Sequence, residues 1–191
     1  MTTSFKRAAA AGFTLIELLI VVIILAIISA IAIPQFSSAT ADAQRSAADA
    51  NVAAVRNAIQ LYRAQHQGNI HPGVNASSGG PGCATGTKGG GGEKSDQALK
   101  DQLQYPSNKL GQTCTVADAE YRYGPYLREG VPLDPFTNSA AIAMQHDGKP
   151  LTADGTDGWA YDTVSGQFIL NSQKQASDGD EGEGEGGAAG G

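Results

Sequence analysis

The sequence predicts an α+β protein, with one long N-terminal helix packed on a small antiparallel β-sheet. Three observations carry this reading. Residues 13–33 are apolar except at Glu17. Val52, Val55, Ile59 and Tyr62 recur at spacings of three and four. After Tyr121 the chain breaks into short alternating segments separated by Gly, Pro and Asp. The 191 residues divide accordingly: a leader over 1–12, a transmembrane helix over 13–33, and its amphipathic continuation over 34–68. A glycine-rich loop and short helix follow over 69–120, then the sheet with its loops over 121–176 and an acidic tail over 177–191. A net charge of −6 supplies no basic surface, so nucleic acid is not an expected partner.

The helix comes first. Residues 13–33 read FTLIELLIVVIILAIISAIAI, about 31 Å of helix at 1.5 Å per residue, close to the hydrocarbon thickness of a bilayer. A secretory signal peptide has a shorter apolar region with a small-residue cleavage site beyond it. Here the processing signal, Gly12-Phe13, stands before the run. Lys6 and Arg7 upstream favour a cytoplasmic leader, with everything after Ile33 outside. Glu17 is the anomaly, because a carboxylate inside an apolar helix costs a few kcal/mol unless it is neutralised. Cleavage after Gly12 creates an α-amino group on Phe13, about 6 Å along the same helix. That charge can pair with Glu17 of the same chain or of a neighbour; the alternative is a glutamate snorkelling or protonated near the membrane surface.

The string Gly12-Phe13-Thr14-Leu15-Ile16-Glu17-Leu18, with basic residues before it and Pro34 after it, resembles the prepilin signature of type IV pilins and type II secretion pseudopilins. The resemblance is tight over residues 6–36 and loose beyond. It implies that a prepilin peptidase/methyltransferase cuts between Gly12 and Phe13 and N-methylates Phe13. It implies that Glu17 meets the Phe13 amine of an adjacent subunit, and that the helix bends near Pro34. A proline within a helix lacks the N–H donor and crowds the preceding turn, which gives the bend its own physical cause.

Beyond Pro34 the segment to Gln67 is rich in alanine, arginine and glutamine, and its apolar stripe requires a domain to cover one face. Gly68 is the expected stop. The glycines between Gly73 and Gly92 read as loop; no strand precedes them and no Gly-Lys-Ser/Thr follows, which argues against a phosphate cradle. Ser95 is an expected N-cap for a short helix to Gln104, with Leu99 and Leu103 facing inward. Ala140–Met144 is a candidate strand. Gly158–Asp162 and Gln167–Asn171 form a candidate β-hairpin, with Trp159 and Tyr161 on one face. The tail from Ser177 has no apolar residue larger than alanine and is expected to be disordered.

Gly124-Pro125-Tyr126-Leu127, then Val131-Pro132-Leu133-Asp134-Pro135-Phe136, then the Gly158 hairpin are similar to the C-terminal part of major type II secretion pseudopilins. That second resemblance implies calcium in the C-terminal loops, for which Asp154, Asp157 and Asp147 offer hard oxygen ligands; ordinary turn chemistry is the alternative. Cys83 and Cys114 are a disulfide candidate in an exported protein, closing a loop of about 30 residues worth on the order of 3 kcal/mol in the chain-entropy model.

His66, His71 and His146 lack metal-ligand spacing and no catalytic motif stands out, so no enzyme is expected. The expected function is structural: a filament subunit, preferably a pseudopilin assisting protein export. Its alternatives are a type IV pilin for adhesion, motility or DNA uptake, and a membrane-tethered binding module that never polymerises. Expected partners are further copies and other pilin-like subunits, the peptidase, an inner-membrane assembly platform, and lipid before assembly. The expected location is the bacterial inner membrane, single-pass, and then a periplasmic or surface filament.

Overall fold

The computed structural model describes residues 13–83, 85–156 and 158–172, with the side chains of 31–38 outside the description. The elements are α1 (Leu15–Gln65), a single 3-10 turn (Gln67–Asn69), α2 (Asp96–Gln104), β1 (Ile142–Gln145), β2 (Trp159–Asp162) and β3 (Phe168–Leu170). The chain divides into two compact units, residues 1–43 and 44–191. The leader and the acidic tail lie outside the described residues.

Within the second unit, α1 presents Val55, Ala58, Ile59 and Tyr62 to a core completed by Leu99 and Leu103 of α2 and by Ile142, Trp159, Tyr161 and Phe168 of the sheet. Spacings of three and four put the α1 residues on one face, as the 3.6-residue turn requires. Val52 packs at its edge. Gly68 follows the helix with φ +81°, a left-handed conformation that glycine adopts without a Cβ penalty.

α2 starts where Ser95 accepts the Ala98 N–H on its hydroxyl at 3.1 Å. Its C-terminal end is covered by the Gly-Pro-Tyr-Leu segment: the N–H groups of Tyr126 and Leu127 both donate to the Leu103 carbonyl, at 2.9 and 2.8 Å. A helix end leaves its last carbonyls without partners, so this segment does for α2 what a further turn would do. Ser95→Ala is expected to cost about 1 kcal/mol, read as a lower urea midpoint, and Ser95→Asp to restore it.

The sheet corrects the expectation of an all-antiparallel arrangement. β2 and β3 do pair antiparallel, with Trp159 opposite Leu170 and Tyr161 opposite Phe168. β1 pairs parallel to β2, with Ile142 beside Trp159 and Gln145 beside Asp162. The order is β1-β2-β3. Residues 146–158 connect β1 to β2, a stretch of about a dozen residues, enough to carry the chain back to the start of a parallel neighbour. All four β2 residues are buried, so the central strand is covered on both faces.

The Val131–Phe136 segment ties α1 to the sheet. The Pro132 carbonyl accepts the Trp159 indole N–H at 2.9 Å, the Pro135 carbonyl accepts the Gln44 amide at 3.1 Å, and the Leu133 carbonyl accepts the Asn51 amide at 3.4 Å. The segment belongs to no strand and its prolines carry no N–H, so its carbonyls are free to accept from side chains.

Candidate functional site

The start of α1 is the candidate site. Phe13 and Thr14 are not helical, and Leu15 is the first helical residue. The Glu17 N–H donates to Thr14 Oγ1 at 3.2 Å, while Glu17 Oε2 accepts the Thr14 N–H at 3.1 Å and the Thr14 hydroxyl at 3.0 Å. This reciprocal arrangement is a capping box. Glu17 therefore satisfies both donors of Thr14, which an apolar environment would otherwise leave unpaired, and its side chain lies in the first turn, at the positive end of the helix dipole. The chain has placed a carboxylate one turn from Phe13 and fixed it there.

Around that carboxylate the helix is bare. Thirteen large apolar side chains from Phe13 to Ile28 are exposed, from 49% at Val21 to 85% at Leu15. An apolar surface of that extent marks contact with lipid or with other protein. Among the described residues, no helix is long and apolar enough to cross a membrane. The apolar helical residues with described side chains, 15–30, rise about 24 Å, short of a roughly 30 Å hydrocarbon layer. Gly12 lies outside the described residues. α1 continues through Pro34, whose side chain is among those not described.

The other residues singled out by sequence belong to the second unit. Cys83 and Cys114 are joined in a disulfide with their Cα atoms 5.8 Å apart. Asp147 pairs with Lys149 at 3.0 Å. Asp154 Oδ1 accepts the Thr156 N–H at 2.8 Å, the Thr156 hydroxyl at 2.6 Å and the Asn171 amide at 2.8 Å. Asp157 lies outside the described residues, and among the described residues no three His, Cys, Asp or Glu are placed to hold a metal ion. His66 stacks on Tyr62 with ring centroids 3.7 Å apart, and its Nδ1 and Nε2 meet the Tyr62 carbonyl and the Ser107 hydroxyl at 2.8 and 3.0 Å. Burial pushes this imidazole below its ordinary pKa, against weaker opposing hydrogen bonds from the Tyr62 and Asn108 backbone.

Two carboxylates not singled out by sequence hold the second unit together. Asp134 is fully buried and accepts the Phe136 N–H at 2.9 Å, the Thr137 hydroxyl at 2.6 Å and the Gly158 N–H at 3.3 Å. Asp162, also fully buried, accepts the Ser165 N–H at 2.7 Å and the Gly148 N–H at 3.3 Å. Burial works to raise both pKa values; hydrogen bonds, led by the Thr137 hydroxyl and by Ser165 respectively, outweigh it and hold both below the usual carboxylate range. A folded pKa below the unfolded one means that the unfolded chain takes up the proton first. Their contribution is complete above the ordinary carboxylate pKa of about 4 and is lost as pH falls through the folded values. The urea midpoint is expected to fall on acidification below about pH 4, and Asp134→Asn to flatten that fall while lowering stability at neutral pH.

Comparison with known proteins places the site in context. Residues 7–33 match the family model described as the prokaryotic N-terminal methylation motif. The "Type IV narrow pilus major component PilA5" of Thermus thermophilus is 48% identical over 59 residues, 31% of this chain and 51% of the relative. The chain thus spans about half the length of the curated relative it matches. No solved structure matches it. The chain carries a prepilin-type N-terminal motif and is type IV pilin-like in its N-terminal portion.

Proposed function

We propose that the chain is the structural subunit of a type IV pilus-like filament, held before assembly in the bacterial inner membrane by residues 13–33. The observation that carries this reading is Glu17, fixed by its capping box at the head of an exposed apolar helix within the matched motif. Cleavage between Gly12 and Phe13 by a prepilin peptidase leaves a charged amine on Phe13, and N-methylation keeps it basic. The amine of one subunit then neutralises Glu17 of another, which sets the axial register of the growing filament. Pro34 is where we place a bend that lets the apolar half pack while the second half stays with its domain. Repeated contacts of this kind do not close on themselves, so they propagate as a helix of subunits. The other partners in this reading are pilin-like subunits and an inner-membrane assembly platform.

Two kinds of filament fit. The name of the Thermus relative supports a pilus reaching beyond the cell. The Gly124–Leu127 and Val131–Phe136 segments, similar to major pseudopilins, support a short periplasmic filament that assists protein export. Electron microscopy of the sheared fraction, with N-terminal sequencing of the protein in it, tests the whole reading. Filaments starting at Phe13 are the expected result, with length separating the two kinds. A mature chain that stays in the membrane fraction and forms no filament would identify a tethered binding module instead.

A further inference from the structure

The glycine-rich segment has a buried polar knot at its base. Asp101, on α2 and 4% exposed, accepts on Oδ2 the Ser77 hydroxyl at 2.6 Å and the N–H groups of Gly90 and Gly91 at 3.0 and 3.3 Å. Its neighbour Gln102, fully buried, accepts the Gly73 N–H at 2.6 Å and donates to the carbonyls of Asn75 and Gly111 at 2.9 and 2.8 Å. Two adjacent side chains of one short helix thus gather the three stretches 73–77, 89–91 and 111–113. Backbone bonds complete the knot: Thr113 N–H to the Ser77 carbonyl at 2.9 Å and Gly89 N–H to the Thr113 carbonyl at 3.1 Å. The glycines are required by the closeness of approach. A Cβ on Gly91 would overlap the Ala98 backbone, and one on Gly89 would overlap the hydroxyls of Thr113 and Ser77.

Cys114 directly follows Thr113, and Cys83 lies midway between Ser77 and Gly89. We infer that Asp101 is the positioning residue for the Cys83–Cys114 disulfide, holding both ends of the cysteine-bearing segment on Thr113 so that the two sulfurs meet. Without the knot, the thiols must find each other across 31 residues of chain. With it, the search is confined to a loop already closed at Ser77 and Gly89. Oxidation by a small disulfide such as oxidised glutathione balances as an exchange. One cysteine thiolate attacks the glutathione S–S bond and expels one thiolate; the second cysteine thiolate displaces the other. One disulfide is consumed for one formed, and the two cysteine protons end on the two glutathione thiols.

The test is the equilibrium between the full chain, in detergent, and a glutathione redox buffer, read by thiol alkylation and mass spectrometry. Asp101→Ala is expected to lower the effective concentration of the two thiols at least tenfold. Lys100→Ala, which removes the Lys100–Asp96 ion pair of α2 and none of the hydrogen bonds of the knot, is expected to change it less than twofold. An unchanged value in folded Asp101→Ala overturns the inference. If Asp101→Ala does not fold, Ser77→Ala serves in its place: a fall of threefold or more supports the inference, and an unchanged value overturns it.

Discussion

Trp159→Ala is expected to lower the stability of the second unit by about 4 kcal/mol, the largest stability loss of any single change considered. Trp159 is fully buried in the central strand, and its ring stacks on Phe168 with centroids 5.3 Å apart. Truncation to alanine leaves a cavity that α1 and two neighbouring strands cannot all collapse to fill. It also removes the donor to the Pro132 carbonyl, and with it the tie between the sheet and the proline-rich segment. At a few degrees per kcal/mol, the thermal midpoint is expected to fall by about 12 °C. Trp159→Phe separates the two effects, because it keeps most of the ring but not the N–H. Its cost is expected to lie near 2 kcal/mol. A loss below about 1 kcal/mol for the alanine variant would show that the sheet does not depend on this side chain.

The features legible in the sequence were those with a local period. The Val52–Tyr62 stripe shows its 3.6-residue repeat directly, and its residues face the core. The alternation around Trp159 and Phe168 shows the hairpin, and the strands pair in that register. The direction of β1 was not legible, because pairing direction depends on the path of residues 146–158 and leaves no mark on the four strand residues themselves. Asp101 and Gln102 were hidden for a related reason: their partners are gathered from three separate stretches, and no spacing along the chain encodes that convergence. Asp134 stands in a proline-rich segment and Asp162 ends β2; nothing in either stretch of sequence marks these carboxylates as buried, because their burial depends on what packs over them. Thr14 is different. The pattern Thr-x-x-Glu before an apolar run is a capping-box signature, and it stood in the sequence beside the Glu17 anomaly.

That cap sharpens what replacing Glu17 can reveal. Glu17→Ala removes the cap acceptor and the charge together, and filament yield is expected to fall at least tenfold while cleavage after Gly12 continues. Loss of the cap alone costs about 1 kcal/mol at the helix start, which can fray the first turn but leaves the rest of the helix intact. Glu17→Gln distinguishes the two roles, since glutamine serves at this position of a capping box and carries no charge. If the charge draws in the amine of a neighbouring subunit, Glu17→Gln assembles as poorly as Glu17→Ala. If the cap is what matters, Glu17→Gln assembles normally and Thr14→Ala becomes the defective variant. The first pattern is expected, because an unneutralised amine on Phe13 in an apolar contact costs several kcal/mol, more than a helix cap supplies. Normal filament yield from Glu17→Gln, measured in the sheared fraction, overturns the charge-pairing role and leaves Glu17 as a helix cap.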